Sequence, residues 1–254
     1  MTSVVAIGDS IAFGVGETVN DQPGPAWAGR LAHLIDASQH TRFAWPGARI
    51  HELQTIQMPA ALMANPEVIL VSIGGNDAVR KGFHAPEFTD RLVTTITTLQ
   101  QHCEKVLLTN LPDVAQTCPI PNKVRNVLRK RILRLNACIA AAHAQSQATL
   151  LDRWNDEAAY QESHISVDGV HPSPLGYQRL AERSLDALRL PSLNEPLTTE
   201  SDPLQSKFWV ATQGVPWAIK RSTRLVPGLV SMIRQESGTG GHPWPTQTWR
   251  KSAN

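Results

Sequence analysis

The sequence predicts an α/β fold in which a parallel sheet is covered by helices on both faces. Short apolar runs alternate with amphipathic helical stretches through the first 190 residues. This alternation is typical of parallel sheets whose crossover connections are helices. Ligands bind beyond the carboxyl ends of the strands in such sheets, so the glycine-rich and polar segments that follow the apolar runs are where a functional site is expected.

The strands are predicted from short apolar runs rich in β-branched residues and leucine, most of which end beside glycine, asparagine or aspartate. In chain order, the five candidate strands are Val4–Ile7, Thr41–Ala44, Val68–Ile73, Val106–Thr109 and Thr149–Leu151. The helices are predicted from apolar residues that recur every three or four positions. The four helical stretches are Ala26–Ile35, Phe88–Cys103, Val124–Ala142 and Pro174–Leu188.

Composition indicates a folded intracellular protein. The 254 residues are 41% hydrophobic and 18% charged, as expected for a globular chain. Three cysteines without CxxC spacing argue against a disulfide framework or a structural zinc site and suit a reducing compartment. No signal peptide is visible, and no run approaches the ~20 apolar residues that span a bilayer. We therefore expect a cytoplasmic location.

The alternating pattern stops near residue 190, where Pro191, Pro196 and Pro203 predict a linker. The expected organisation is an α/β domain at 1–192, a linker at 193–204 and a basic, tryptophan-rich extension at 205–254. The extension carries seven Lys/Arg against one acidic residue, and four of the seven tryptophans.

The basic extension leaves three interpretations open. A basic amphipathic stretch with aromatic residues indicates peripheral contact with an anionic membrane, here the inner membrane surface. Packing against the α/β domain is an alternative, and disorder is another, above all for Ser237–Asn254. No nucleic-acid partner is expected, because the domain is mildly acidic and carries no binding motif.

Gly8-Asp9-Ser10 follows the first strand and includes the first candidate for chemistry. A serine at a strand-to-helix junction lies near free backbone N–H groups, which can stabilise an oxyanion. Its hydroxyl becomes a strong nucleophile only when a base takes its proton. On this tripeptide alone, a helix-capping role for Ser10 is as well supported as a nucleophilic one.

Asp168 and His171 are the candidates for the activating pair. They lie three residues apart just before the last helix, and Pro172 and Pro174 stiffen the segment. A carboxylate on one imidazole nitrogen holds the tautomer that a general base requires. A surface loop is the alternative interpretation of this segment. A metal cluster that adds His164 lacks further ligands, so we expect no metal and no cofactor.

Gly47 and Asn76 are candidate donors to an oxyanion. Gly47 follows the second candidate strand, where its bare backbone N–H could donate. Asn76 follows the third, and the preceding glycines Gly74 and Gly75 let the chain bend so that its amide can point inward. Taken singly, each glycine is also typical of an ordinary turn.

The four segments together resemble the marker blocks of the SGNH hydrolase superfamily, also called the GDSL lipases and esterases. The matching segments, in order, are Gly8-Asp9-Ser10, Gly47, Gly74-Gly75-Asn76-Asp77 and Asp168-Gly169-Val170-His171. The resemblance covers about residues 3–190. One departure is that Phe43-Ala44-Trp45 stands where the second block often has an asparagine.

This resemblance implies a flavodoxin-like, three-layer fold with a five-stranded parallel sheet. It implies that Ser10 is the nucleophile, with His171 and Asp168 completing a triad. The Ser10 amide, the Gly47 amide and the Asn76 side chain would then form the oxyanion hole.

We therefore expect serine-dependent hydrolysis of a carboxylic ester, either a small molecule or a lipid. The same groups could transfer the acyl group to an alcohol or cleave a thioester. A membrane-associated binding module without turnover is a further alternative. The acyl length and the alcohol depend on loops such as Val15–Pro25 and Lys81–Pro86, whose conformations the sequence does not determine.

Overall fold

The computed structural model describes residues 2–19, 22–118 and 120–197. Within them, five parallel strands form one sheet in the order β4-β1-β5-β6-β7. These strands are β1 (Ser3–Gly8), β4 (Gln39–Ala44), β5 (Val68–Ser72), β6 (Lys105–Thr109) and β7 (Thr149–Leu151). Two short antiparallel strands, β2 (Thr18–Val19) and β3 (Gln22–Pro23), form a separate hairpin. The predicted α/β class and all five predicted strands are confirmed.

The helices alternate with the strands as the apolar periodicity predicts. The four long helices are α2 (Ala26–Leu34), α6 (Ala85–Gln100), α8 (Asn122–Ala144) and α9 (Pro174–Ala187). The short helices are α1 (Ser10–Phe13), α3 (Ile50–Glu52), α4 (Met58–Met63), α5 (Gly75–Ala78) and α7 (Val114–Thr117). One π-helical turn, Leu53–Gln57, joins α3 to α4, and two 3₁₀ turns span Glu157–Tyr160 and Glu162–His164.

The start of α6 and one unpredicted helical segment are the main differences from the predicted helices; the other ends of the long helices agree to within three residues. Helix α6 begins three residues before Phe88, because the His84 ring nitrogen Nδ1 caps the Glu87 amide at 3.3 Å and Pro86 fits the first turn. The helical segment between Ile50 and Met63 is absent from the prediction, since its π turn breaks the 3.6-residue apolar period.

The sheet is buried on both faces by two separate apolar clusters. On one face, Val4 and Ala6 of β1 pack with α2 and α9 through Trp27, Leu31 and Tyr177. The opposite cluster includes Val5 and Ile7 of β1 with side chains of α6 and α8 such as Leu92, Ile96 and Leu135. Alternate residues of one strand point to opposite faces, so continuous apolar runs are required when both faces are covered.

Strand β1 lies between β4 and β5, and Gly8 is in register with Ala44 on one side and Ser72 on the other. The chain crosses first to β4 and then returns past β1 to β5. Ligand sites of open parallel sheets lie where the strand order reverses in this way, beyond the carboxyl ends. The segments after β1, β4 and β5 therefore meet at one edge of the sheet.

After α9 the chain returns along α2. The Leu193 amide donates to the Leu34 carbonyl at 2.7 Å, and the Asn194 side chain donates to the His33 carbonyl at 2.9 Å. The predicted linker 193–204 is described only to residue 197, and the predicted extension 205–254 lies outside the described residues. Over the described ranges, no helix combines the length and apolar character needed to cross a membrane.

Candidate active site

Ser10 is positioned by a sharp turn at the end of β1. Gly8 adopts φ +134°, and a Cβ there would lie 1.8 Å from the Ser72 carbonyl oxygen, so only glycine fits. The Asp9 amide donates to the same oxygen at 2.9 Å. The Asp9 carboxylate caps α1 by accepting the Ile11 amide at 3.1 Å. The capping role therefore belongs to Asp9, and the hydroxyl of Ser10 is left for another partner.

That partner is His171. The Ser10 hydroxyl donates to Nε2 of His171 at 2.8 Å, although the two residues are 161 positions apart. On the other side of the ring, Nδ1 donates to Oδ2 of Asp168 at 2.5 Å. The imidazole is buried, with its side chain 7% exposed. The structure thus brings together three residues that the sequence places in two distant segments.

The turn that carries Asp168 and His171 is closed by its own backbone. The Ser166 amide donates to the His171 carbonyl at 2.7 Å, and Ile165 bridges to Pro172. Gly169 adopts φ +70° against the backbone of Thr117, whose hydroxyl donates to the Gly169 carbonyl at 2.6 Å. The ring therefore faces Ser10 from a turn that is anchored to the neighbouring loop.

Asp168 uses both carboxylate oxygens. While Oδ2 accepts from the imidazole, Oδ1 accepts the Val170 and His171 amides at 2.9 and 3.0 Å. Burial opposes ionisation, but the His171 ring and these amides outweigh it and hold the pKa of Asp168 below its usual value. The ionised carboxylate keeps the proton on Nδ1, which leaves Nε2 as the acceptor of the serine hydrogen.

Gly47 and Asn76 lie on the turns that follow β4 and β5, on the two sides of β1. Gly47 has φ +91°, and the Asn76 amide donates to the carbonyl oxygen of Ala48 at 3.0 Å. Further along the two segments, the Ile50 amide donates to the Asp77 carboxyl at 3.2 Å. These two hydrogen bonds tie the two turns together at the edge of the sheet that holds Ser10.

Gln57 is a residue at this site that the sequence analysis does not identify. Its fully buried side chain accepts the Gly8 amide at 2.7 Å and donates to the Gly8 carbonyl at 2.9 Å. Gln57 thus pairs with both the N–H and the C=O group of Gly8, two residues before Ser10. The only sequence signal is a glutamine inside an apolar stretch, and the π turn that aims it has no sequence signature in the chain.

Two further carboxyl groups lie beside the candidate site, that of Asp9 buried and that of Asp77 partly buried. Burial raises the pKa of Asp9 to about 6, against the opposing effects of the Ile11 amide, His171 and the buried Arg153. Burial also raises the pKa of Asp77 to about 7, and the charge of Asp9 adds to this increase. The two carboxyl groups are therefore within electrostatic range of each other.

The alternative cluster with His164 has no metal-binding geometry. The ring of His164 makes its hydrogen bond with the Ser163 hydroxyl, at 3.1 Å. In the part of the chain that the structure describes, no three His, Cys, Asp or Glu side chains are grouped so that they could hold a metal ion.

Comparison with solved structures finds this fold in other hydrolases. A catalytic mutant of Axe2, an acetylxylan esterase from Geobacillus stearothermophilus, matches with a TM-score of 0.60 and 15% identity, over 76% of this chain and 97% of that one. LAE5, an alpha/beta hydrolase enzyme from the metagenome of Lake Arreo, Spain, matches with a TM-score of 0.59 and 18% identity, over 76% and 97%.

The structure of TesA matches with a TM-score of 0.57 and 21% identity, over 74% of this chain and 99% of that one. At such identities the likeness shows a common fold. No curated protein sequence gives a significant match to the chain.

The sequence also matches a family model, that of the GDSL-like Lipase/Acylhydrolase family, over residues 6–179. This range begins within β1 and ends within α9, so it includes the turns that carry Ser10, Gly47, Asn76 and His171. The resemblance noted from the four sequence segments is therefore confirmed, and the chain belongs to the GDSL-like Lipase/Acylhydrolase family.

Proposed function

We propose that the protein hydrolyses carboxylic esters through an acyl-enzyme formed on Ser10. The observation that carries this proposal is the chain of hydrogen bonds from the Ser10 hydroxyl through His171 to Asp168, at 2.8 and 2.5 Å. Membership of a lipase and acylhydrolase family supports an ester as the substrate. The fold shared with an acetylxylan esterase supports the same reaction class.

In the acylation step, the Ser10 oxygen attacks the ester carbonyl while Nε2 of His171 accepts its proton. Asp168 stabilises the imidazolium that forms. His171 then donates this proton to the leaving alcohol, so the acyl C–O bond breaks and the acyl group remains on Ser10. Water next attacks the acyl-enzyme, with His171 again as general base, and releases the acid.

The developing oxyanion needs donors on the side of Ser10 away from His171. The Ser10 amide, the Gly47 amide and the Asn76 side chain are the groups we propose. In a comparable hydrolase site, one such donor lowers the barrier by about 2.7–4 kcal/mol. Their rigidity comes from the bonds of Asn76 to Ala48 and of Asp77 to Ile50.

Ser10→Ala and His171→Ala test the proposal with a p-nitrophenyl ester. Each should lower kcat by at least about 10³-fold, because the nucleophile or its base is removed. Thermal unfolding should show that both variants fold. Ser192→Ala, at an exposed serine, is the matched control.

A fluorophosphonate probe provides a second measurement that does not depend on the choice of ester. It should label the wild-type chain on Ser10 and fail to label Ser10→Ala. Full activity in Ser10→Ala, or labelling at a different serine, would contradict the proposal. Assays with competing alcohol acceptors would separate hydrolysis from acyl transfer.

A further inference from the structure

A cavity of about 280 Å³ opens beside the proposed oxyanion donors. One wall is the segment 49–51, which follows Gly47, and another is the segment 80–84, which follows Asn76. The first two turns of α6 close it. No residue of the Ser10, His171 and Asp168 group lines this cavity.

The cavity carries an excess of positive charge. Four of its lining residues are arginine or lysine, and two are acidic. Arg49 is paired with Glu52 at 3.4 Å, and Arg91 with Glu87 at 3.0 Å.

The two remaining cations, Arg80 and Lys81, are both exposed. Over the described ranges, neither of these side chains makes a hydrogen bond or an ion pair. The carboxyl group of Asp77 is directed to the Ile50 amide instead. Two cations are therefore left at the cavity without a carboxylate partner. Lys81 begins the loop Lys81–Pro86, which the sequence indicates as a determinant of substrate choice, and Arg80 directly precedes it.

The cavity also has an apolar wall. Ile50 and Phe88 are buried, and the rings of Phe83 and Phe88 meet edge to face with their centroids 5.7 Å apart. A short methylene chain packs well against such a surface, because each buried CH₂ contributes about 0.8 kcal/mol. The cavity thus combines a surface for a carbon chain with positive charge for its end.

The chemistry of the proposed reaction indicates which part of the ester enters this cavity. The leaving alcohol must lie beside His171, since this residue protonates it. The cavity is lined by residues that follow Gly47 and Asn76 and not by His171. This placement assigns the cavity to the acyl side of the reacting carbonyl.

We propose that the substrate is a monoester of a dicarboxylic acid, whose acyl chain ends in a carboxylate that Arg80 and Lys81 bind. This inference rests on the proposed ester hydrolysis at Ser10. Hydrolysis breaks the acyl C–O bond, with water supplying OH to the acyl carbon and a proton to the alcohol. The products are then a dicarboxylate and an alcohol.

The test compares esters of one alcohol that differ only at the end of a six-carbon acyl chain: a carboxylate, a carboxamide or a methyl group. Shorter terminal carboxylates are avoided because they attack their own ester. We expect kcat/KM for the carboxylate ester to exceed that for the carboxamide ester about tenfold at low salt. In 1 M NaCl the ratio should approach one, because the Debye length falls to ~3 Å.

A second arm places the charge on the alcohol. Acetyl esters of 4-hydroxybenzoate and 4-hydroxybenzamide should be hydrolysed with similar kcat/KM values after correction for the leaving group. A preference that follows the charge on the alcohol, and not on the acyl chain, would overturn the placement of the acyl group in the cavity.

Arg80→Gln and Lys81→Gln should each lower the carboxylate-to-carboxamide ratio about threefold, and the double variant about tenfold, as expected for exposed ion pairs. Lys105→Gln is the matched control, because Lys105 begins β6 at the opposite edge of the sheet. This control should keep the wild-type ratio.

The failures of the two proposals are distinguishable. A wild-type ratio near one, with the neutral esters still hydrolysed in a Ser10-dependent manner, would overturn the dicarboxylate inference and leave ester hydrolysis in place. Hydrolysis of none of these esters, together with no fluorophosphonate labelling of Ser10, would overturn ester hydrolysis itself and the inference with it.

Discussion

The two sides of Ser10 are built in different ways. On the His171 side, one turn of the chain holds both Asp168 and His171, and the three hydrogen bonds to the carboxylate come from within four residues. The other side holds the proposed oxyanion donors Gly47 and Asn76, and we call it the donor side. These two residues come from segments that follow different strands. The bond that joins these segments, from Asn76 to Ala48, connects residues 28 positions apart.

The electrostatics of the two sides also differ. The pKa of Asp168 is lowered by its partners, whereas burial raises the pKa of Asp77 on the donor side to about 7. The proposed base is therefore held within one turn, whereas the proposed oxyanion donors depend on contacts between segments. The donor side should therefore be sensitive to residues that never touch the substrate.

The largest effect should come from the His171 side. Asp168→Asn replaces the carboxylate that fixes the imidazole tautomer and stabilises the imidazolium, so kcat should fall about 10³–10⁴-fold. The KM for a p-nitrophenyl ester should change little, since Asp168 does not contact the ester in this mechanism. A fall in kcat of less than tenfold, in a variant with a wild-type Tm, would show that His171 does not depend on Asp168 to act as a base.

On the donor side, Asn76→Ala should lower kcat about 10²–10³-fold, the cost of one oxyanion donor. KM should remain close to the wild-type value, because the interaction strengthens as charge develops on the carbonyl oxygen. Asn126→Ala, at an exposed position of α8, is the control. A raised KM with an unchanged kcat for Asn76→Ala would assign the residue to substrate binding instead.

The contrast between a local turn and contacts between distant segments also explains how much of the fold and the site could be predicted from the sequence. The strands and long helices follow from apolar periodicity, and Asp168 and His171 stand three residues apart in a single motif. A local segment of this kind carries its geometry in its spacing, so the pairing of its side chains could be predicted. That the segment faces Ser10 could be inferred only because β1 and the last turn end at the same edge of the sheet.

The contacts that support the donor side could not be predicted in this way. Gln57 reaches Gly8 across 49 positions, from a π turn with no distinctive composition. The cavity at Arg80 and Lys81 depends on how two loops approach each other, and long-range loop geometry leaves no periodic pattern. These features are set by tertiary packing, which a single sequence does not encode locally.

Gln57 can be tested against Asn136, which makes the same pair of hydrogen bonds elsewhere. Asn136 accepts the Leu111 amide at 3.0 Å and donates to the Leu111 carbonyl at 2.8 Å. Gln57→Leu and Asn136→Leu should each lower the free energy of unfolding by about 2–3 kcal/mol, because both leave two buried backbone groups unpaired. Chemical denaturation measures this loss.

Activity should separate the two variants. At a temperature at which both are folded, we expect Gln57→Leu to lower kcat about tenfold through displacement of the backbone before Ser10, while Asn136→Leu retains it. Equal kcat values for the two variants would show that Gln57 contributes only to stability. They would also show that the activity does not depend on this long-range contact.

The smallest expected effect is on the pH dependence of folding stability. The contributions of Asp77 and Asp168 should change with pH in opposite directions. The pKa of Asp77 is about 7 in the folded protein, against an ordinary value of 3.8 for an aspartate in an unfolded chain. The folded protein therefore keeps a proton that the unfolded chain releases above about pH 4. The stability that this proton contributes is complete below pH 4 and lost as pH rises through 7. For Asp168 the sign is reversed, and its contribution is lost as pH falls.

Asp77→Asn should isolate the contribution of the donor side, because its side-chain carbonyl can still accept the Ile50 amide without a charge. A pKa shift from 3.8 to about 7 corresponds to about 4 kcal/mol if fully expressed, and the partial exposure of Asp77 reduces the expected effect to about 1–2 kcal/mol. The variant should match the wild type near pH 4 and become more stable than it between pH 4 and pH 7, with a constant difference above pH 8.

Denaturation curves at each pH measure this difference, and Asp90→Asn at an exposed position of α6 controls for the change in net charge. A variant that becomes less stable than the wild type as pH rises would mean that the fold stabilises the Asp77 carboxylate, and that the electrostatic contrast between the two sides of Ser10 does not exist.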